Sequence, residues 1–392
     1  MIRQLETATP SVLFIQSWLQ LGGAENLVIE LALELAGRGH RVAIACTYVD
    51  DSFLDKDPAR VRLLRPWRWI SRLSRRSRLG FLLLGCPALI VVVLAHARAY
   101  NVINPHNFPS FWAAAIASIL FQKPVVWHFN EPAPGPRVFL RVDRALVGQA
   151  TSLTVLDERS KARVRKLFRR DAVVIHPGVD IAFWSQADDA SVPQLQDLRG
   201  RSILLAVGKL HRQKNQAVLV RALDMLKTEI RDLTLVLTGD GPERSRLEQL
   251  IQDRSLGDRV IFTGMLSSRA LRALYRQALL VCFPALDQTW GLTPFEALCQ
   301  RTVSLVSNQT GAAEVLGPLN IGLLAAPDPA SFANEIRTAY QRRSELAEMA
   351  SRGFDYVASH LSWQRFADEM LAVFVSAQES ANSRSKPAAR AA

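Results

Sequence analysis

Two lysines five positions apart, Lys209 and Lys214, lie in Val207-Gly208-Lys209-Leu210-His211-Arg212-Gln213-Lys214-Asn215, a turn between a predicted strand and a predicted helix. Two ammonium groups and a helix N-terminus converging on one spot suit a diphosphate, which needs donors and positive potential. The pair alone fits a solvated basic loop equally well. A second strand-to-helix junction runs Gln288-Thr289-Trp290-Gly291-Leu292-Thr293-Pro294-Phe295-Glu296-Ala297-Leu298. Thr293 followed three residues later by Glu296, with Pro294 at the first helical position, reads as a capping box in which Glu296 serves its own helix. The amides of Leu292 and Thr293, beside Gly291, would then form an anion-binding helix start.

Other junctions carry weaker signals. Thr238-Gly239-Asp240-Gly241-Pro242-Glu243 is a glycine turn, and Leu21-Gly22-Gly23-Ala24-Glu25 offers a glycine pair where a phosphate or sugar can approach the backbone. His128, in Val125-Val126-Trp127-His128-Phe129-Asn130-Glu131-Pro132, ends a predicted strand and is equally readable as a satisfied strand residue. His106 and Asn107 end the preceding strand and are candidates to line the same cleft, as are Asn130 and Glu131. The seven histidines are dispersed, with no DxD or HxxxH array beside these loops, so no metal site is expected.

The elements that must hold these residues are short apolar strands alternating with segments of helical period, the pattern of a parallel α/β sheet, and the series occurs twice. The first comprises 12–16, 42–47, 102–104, 125–128, 152–156 and 173–176. The second comprises 203–207, 233–238, 259–263, 280–284, 302–306 and 322–325. A polar stretch from Asp188 to Gly200, carrying a proline and ending in glycine, reads as the linker. The expected layout is an N-terminal Rossmann-like domain over 1–188 and a C-terminal Rossmann-like domain over 189–358. A terminal helix over 359–378, crossing back to the N-terminal domain, and a disordered tail over 379–392 complete it. Two doubly wound domains bind ligands at the carboxyl ends of their strands, which places the expected site in the cleft they face across.

Composition agrees with a two-domain globular chain: 392 residues exceed one ordinary core, and 49% are apolar against 21% charged. Four scattered cysteines, with no CxxC spacing, suit a reducing cytoplasm, and the apolar stretch Ser11 to Gln16 is too short for a signal-peptide core. The net charge of +12 asks for a polyanionic partner. Residues 60–78 concentrate it, with eight arginines, three leucines and two tryptophans and no acid.

The order and spacing of the four junctions resemble the family-4 retaining glycosyltransferases of GT-B fold over nearly the whole chain. That pattern runs from a glycine pair after strand one, through a VG(R/K)L...K loop and a GxGP turn, to a closing E-x7-E segment. Val174-Ile175-His176-Pro177-Gly178-Val179-Asp180 is similar to the stretch before the linker. The resemblance implies two Rossmann-like domains, the second binding a nucleotide-sugar. It implies that Lys209 and Lys214 neutralise the diphosphate, that Glu296 bonds the ribose hydroxyls, that backbone around Met265 and Leu266 holds the base and that His128 contacts the donor sugar. Lysines in place of a divalent cation imply metal-independent transfer without a cofactor, from a GDP- or UDP-sugar. Segments 130–132 and 290–294 look like those of some mannosyltransferases, which makes GDP-mannose the first expectation.

One departure stands out: Gln288 occupies the position of the first glutamate in E-x7-E. An amide bonds a sugar hydroxyl but brings no full charge to an oxocarbenium-like transition state, a loss worth about 3 kcal/mol at such sites. A tuned donor preference, substitution by Asp287 and impaired catalysis all remain open.

If a helix starts at Pro66, Arg68, Arg72, Arg75 and Arg76 share an arc about 100° wide with Trp67, Ile70 and Leu73 opposite. That composition suits an interfacial helix on anionic lipid at the inner face of the membrane. The apolar run Phe81 to Ala95, interrupted by Pro87, falls short of the ~20 residues of a span and reads as buried or interfacial. A solvated arginine face over a core helix is the competing reading. Competing functions are a sugar-nucleotide epimerase, a catalytically weakened scaffold at the membrane, and a nucleic-acid binder, the last disfavoured because no recognised module surrounds the basic segment.

Overall fold

The computed structural model describes residues 10–19, 22–49, 61–75, 77–130, 140–187, 198 and 200–385. The chain forms two compact units, Met1–Pro177 together with Trp363–Ala392, and Gly178–Ser362.

The first unit is built on parallel strands, in spatial order Arg62–Leu64, Val42–Ala45, Val12–Ile15 and Val102–Pro105. A bridge from Ile103 to Val125 continues the sheet into Val126–Phe129, Ser152–Val155 and Val173–Val174. Val12–Ile15 (VLFI), Val42–Ala45 (VAIA) and Val126–Phe129 (VWHF) are buried along their whole length, as strands covered on both faces require. Phe111 of helix Phe108–Phe121 stacks on Trp127 with ring centroids 4.4 Å apart. Strand succession reverses between Val12–Ile15 and Val102–Pro105, so their carboxyl ends open the crevice where doubly wound sheets bind ligands.

The second unit has a six-stranded parallel sheet in the order Val260–Gly264, Leu233–Thr238, Ser202–Val207, Leu280–Phe283, Ser304–Ser307 and Leu323–Ala325. Its reversal falls between Ser202–Val207 and Leu280–Phe283. The segments leaving those two strands are the ones that carry Lys209, Lys214, Gln288 and Glu296.

Several expectations need correction. The units divide at Pro177 and Gly178, not at 188, because the following segment is locked into the second unit. Val179 donates to the Leu361 carbonyl at 2.7 Å, Arg272 donates to Gln186 Oε1 at 2.8 Å, and Gln300 donates to the Trp184 carbonyl. The terminal helix covers Trp363–Ser385, past the expected end at 378, so 379–385 is helical. Its buried Phe366, Met370 and Phe374 join the first unit, Phe374 meeting Phe14 edge-on at 6.4 Å. Pro87 does not interrupt the apolar run: the π-helical turn Phe81–Gly85 continues directly into helix Cys86–His96, and Phe81–Ala99 is one unbroken 19-residue helix, long and apolar enough by length and composition to cross a membrane, where the sequence suggested a run too short to span. Arg62–Leu64 was not expected as a strand, since arginine and a sheet edge leave little apolar pattern.

Candidate functional site

In the second unit the lysine loop is shaped by glycine. Gly208, Gly239 and Gly241 have φ of 142°, 123° and 159°. A Cβ on Gly239 would lie 2.3 Å from the Gly208 carbonyl oxygen, and one on Gly241 would lie 2.3 Å from that of Leu210. The turn after Leu233–Thr238 therefore packs backbone to backbone under the lysine loop. Gly208 donates to Thr238 O, Leu210 to Asp240 O and Glu243 to Leu210 O, each at 3.0 Å. The glycine turn, weak as a sequence signal, is the brace of the loop that carries Lys209.

Lys209 is exposed, whereas Lys214 is half-buried. Lys214 Nζ donates to Gln288 Oε1 at 3.0 Å and sits 5.0 Å from the centroid of the Phe283 ring. Burial lowers its pKa to about 8. Gly291, at φ 90°, leaves room that a Cβ would lose, 2.7 Å from the same Phe283 ring. The two segments are clamped by Leu286 N to Gln213 O at 2.8 Å and by Asn215 Nδ2 to Pro284 O at 3.2 Å.

The capping box does not form. Leu292 is the cap residue of helix Thr293–Cys299, and no side chain bonds the helix start. Instead Tyr275 donates to Glu296 Oε2 at 2.9 Å and also bonds the Thr293 side chain. Glu296 is thus released from its own helix and fixed by a buried phenol of helix Ser268–Gln277. Burial raises its pKa to about 7, against the opposing effect of the tyrosine bond. Trp290 stacks on Phe295 at 4.6 Å and holds the helix start in place. Met265 is exposed and Leu266 half-buried beside Gly264, whose carbonyl accepts from Gly239 N at 2.8 Å.

In the first unit His128 and His106 lie with ring centroids 5.1 Å apart, both buried. Asn104 orients one of them: its Nδ2 donates to the Val126 carbonyl, which leaves Oδ1 to accept from His106 Nε2 at 2.8 Å. His128 Nδ1 meets Thr154 Oγ1 at 2.8 Å, while its Nε2 has no hydrogen-bond partner among the described residues. Burial lowers the His128 pKa to about 3 and that of His106 well below the ordinary value, so both rings are neutral. Asn130 Nδ2 lies 3.5 Å from His106 Nδ1. Asn107 is instead absorbed locally: its Oδ1 caps helix Phe108–Phe121 at Ser110 N, 3.1 Å away, and accepts from Ser17 Oγ at 2.9 Å.

Gly22 precedes helix Gly23–Gly37, and the Glu25 carboxylate folds back over it; no atom lies within 4 Å of a Cβ built on Gly23. Glu131 and Arg76 lie outside the described residues, as do the side chains of Arg68 and Arg75. Trp67 and Arg72 are exposed on and beside helix Arg68–Arg75. Tyr275, Phe283, Thr154 and Asn104 are contributors that sequence reasoning missed, because each acts through a contact with a residue remote in sequence. Among the described residues no group of three His, Cys, Asp or Glu side chains gathers as a metal-binding cluster.

The family model described as Glycosyltransferase Family 4 matches residues 21–183, and that described as Glycosyl transferases group 1 matches residues 189–355. The chain belongs to the family-4 glycosyltransferases. This glycosyltransferase is 24% identical to alpha-1,3/1,6-mannosyltransferase of Mus musculus over 92% of its own length and 95% of the relative's. It is 25% identical to a D-inositol 3-phosphate glycosyltransferase of Xylanimonas cellulosilytica over 91% and 92% of the two chains. Among solved structures it is similar to Anabaena HepE in complex with UDP-glucose, with a TM-score of 0.77 at 21% identity, covering 94% and 99% of the chains. Sucrose-phosphate synthase of Thermosynechococcus elongatus gives a TM-score of 0.78 at 21% identity, covering 95% and 100%. The glycosyltransferase therefore has the GT-B fold of two Rossmann-like units.

Proposed function

We propose that this glycosyltransferase moves a hexose, with mannose the first expectation, from a nucleoside-diphosphate sugar to a membrane-associated glycan or lipid-linked acceptor with retention of configuration. The observation that carries the reading is Lys214. A half-buried ammonium held by a neutral amide at a strand-order reversal, beside a glycine-led helix start, suits a diphosphate. Lys209 and Lys214 hold the leaving diphosphate in place of a divalent cation. Glu296 takes the ribose hydroxyls, backbone at Met265 and Leu266 takes the base, and the open Nε2 of His128 accepts a sugar hydroxyl. Gly23 gives the backbone access that a sugar or phosphate needs, and at Gly22 that access requires the Glu25 carboxylate to swing aside.

Mannose as the donor sugar is supported by the mannosyltransferase named among the relatives, and a nucleotide-sugar by the UDP-glucose bound to Anabaena HepE. The reaction belongs at the inner, cytoplasmic face of a membrane, where the basic segment meets anionic lipid. A second reading, a weakened scaffold, is favoured by Gln288 alone. A thermal-shift series with GDP-mannose, UDP-glucose and their nucleoside diphosphates decides between them. A donor that raises Tm and yields transferred sugar supports the enzyme; no shift with any member of the series, including UDP and GDP, removes the proposal.

A further inference from the structure

The segment from Trp67 to Val91 carries an unusual share of solvent-facing apolar side chains. Trp67 is 76% exposed, Leu79 64%, Leu83 64% and Val91 66%, and Trp69, Leu73, Leu82 and Leu84 are also exposed. Isolated surface leucines need no explanation, but a cluster of this size on one segment marks a surface that meets something apolar. The π-helical turn Phe81–Gly85 contributes to it: Leu82, Leu83 and Leu84 are exposed in succession. On its inner side Leu89, Val93 and Ala97 are buried in the first unit's core.

The turn and helix Arg68–Arg75 form one body. A Cβ on Gly80 would meet the Leu73 carbonyl oxygen at 2.9 Å, and one on Gly85 would meet Ser74 Cβ at 3.1 Å, so small residues let the two backbones cross closely. Phe81 anchors the crossing against Trp18, with ring centroids 4.9 Å apart. The sequence that carries this apolar surface is basic: residues 60–78 contain eight arginines and no acid, and among the described side chains Arg62, Arg65 and Arg72 are exposed.

A line of hydrogen bonds ties this body to the ligand end of the sheet. Ser71 Oγ donates to Thr47 O at 2.6 Å, Thr47 N donates to Ser17 O at 2.9 Å, and Ser17 Oγ donates to Asn107 Oδ1 at 2.9 Å, next to His106. Ser17, Thr47 and Asn107 each follow a strand by two residues, at its carboxyl end.

We infer that the leucine turn Leu79–Leu84 is an insertion wedge that enters the interfacial layer of a bilayer containing anionic lipid, with Trp67, Trp69 and the arginines at headgroup level. The wedge thereby holds the His106 end of the first unit at the lipid surface. This rests on the proposed membrane-presented acceptor and names the element that reaches it. Neutral lipid satisfies the leucines but not the arginines, so the favoured surface carries negative charge.

Full-length protein is mixed with phosphatidylcholine vesicles with and without phosphatidylglycerol, and UDP and GDP binding is measured on the same samples. Wild type should float with the anionic vesicles, and Leu82→Glu/Leu83→Glu should lose partitioning by roughly 100-fold with nucleotide affinity unchanged. An environment-sensitive fluorophore on Leu83→Cys should shift to the blue on vesicle addition. Unaltered flotation of the double variant overturns the wedge while leaving membrane association standing. Wild type that binds nucleotide yet ignores anionic vesicles overturns the wedge and leaves the donor site standing. A leucine patch that proves to be a contact between two copies, seen as a dimer lost in the double variant, overturns it as well.

Discussion

Lys214 hydrogen-bonds the neutral side chain of Gln288 across 3.0 Å, so a half-buried ammonium faces an amide where the family pattern puts a carboxylate. The amide satisfies one donor of the lysine and leaves its charge intact for a bound anion. Gln288→Glu would create an internal ion pair that competes with the diphosphate. UDP or GDP affinity should fall by about tenfold, or about 1.4 kcal/mol, measured by calorimetry. Equal or tighter binding would show that Lys214 does not serve the diphosphate.

Lys214 also sets a pH limit. With its pKa at about 8 in the free protein, the ammonium is present below that value and is lost as pH rises through it. Because the diphosphate favours the charged form, affinity should be constant below pH 8 and decline above it, approaching tenfold per pH unit. Lys214→Arg, charged throughout, should abolish the decline.

His128 makes the first unit sensitive to acid. Its pKa is about 3 in the folded chain and near the ordinary 6.5 once unfolded, so between these values only the unfolded chain binds the proton. Stability should therefore fall as pH drops from 6.5 towards 3, by about 1.4 kcal/mol per pH unit from this group. His128→Asn should flatten the decline in urea midpoints, and a slope identical to wild type would place the histidine in a more open setting.

Gly239→Ala tests the brace under the lysine loop. The positive φ and the approach to the Gly208 carbonyl both act against any side chain. The loss should be at least about 2 kcal/mol in unfolding free energy, with weaker nucleotide binding. Gly23→Ala, where the structure leaves open space, is the control for stability and should cost far less in unfolding free energy.

The proposed use of lysines for diphosphate neutralisation carries its own check. Transfer should continue at full rate in excess chelator. Loss of turnover that magnesium or manganese restores would reject the lysine mechanism.

The strands were legible because those buried on both faces are written as unbroken apolar runs; Leu233–Thr238 was placed to the residue. Lys214 and Gln288 were legible as strand-end residues, yet their mutual bond was not, since 74 positions separate them. The capping box read for Thr293 and Glu296 failed for the same reason. Spacing alone favoured a local cap, and the competing partner, Tyr275, announces itself only when helix Ser268–Gln277 is packed. Asn107, expected to line the cleft, also has a local task that the sequence did not show, capping helix Phe108–Phe121 through Ser110 N. The apolar run from Phe81 was legible as buried or interfacial, but not which of its leucines face outward, because hydropathy treats inward and outward leucines alike.

The terminal helix has a consequence for anyone wishing to recombine this enzyme with its cousins. Phe366 sits 6.2 Å from the His128 ring, and Phe374 covers Phe14, so the first unit is stitched from both extremities of the polypeptide. A chimaera spliced once, near the midpoint, would graft a foreign lid over this enzyme's histidine pair. A faithful exchange of donor preference needs two junctions, one after Pro177 and one before Trp363.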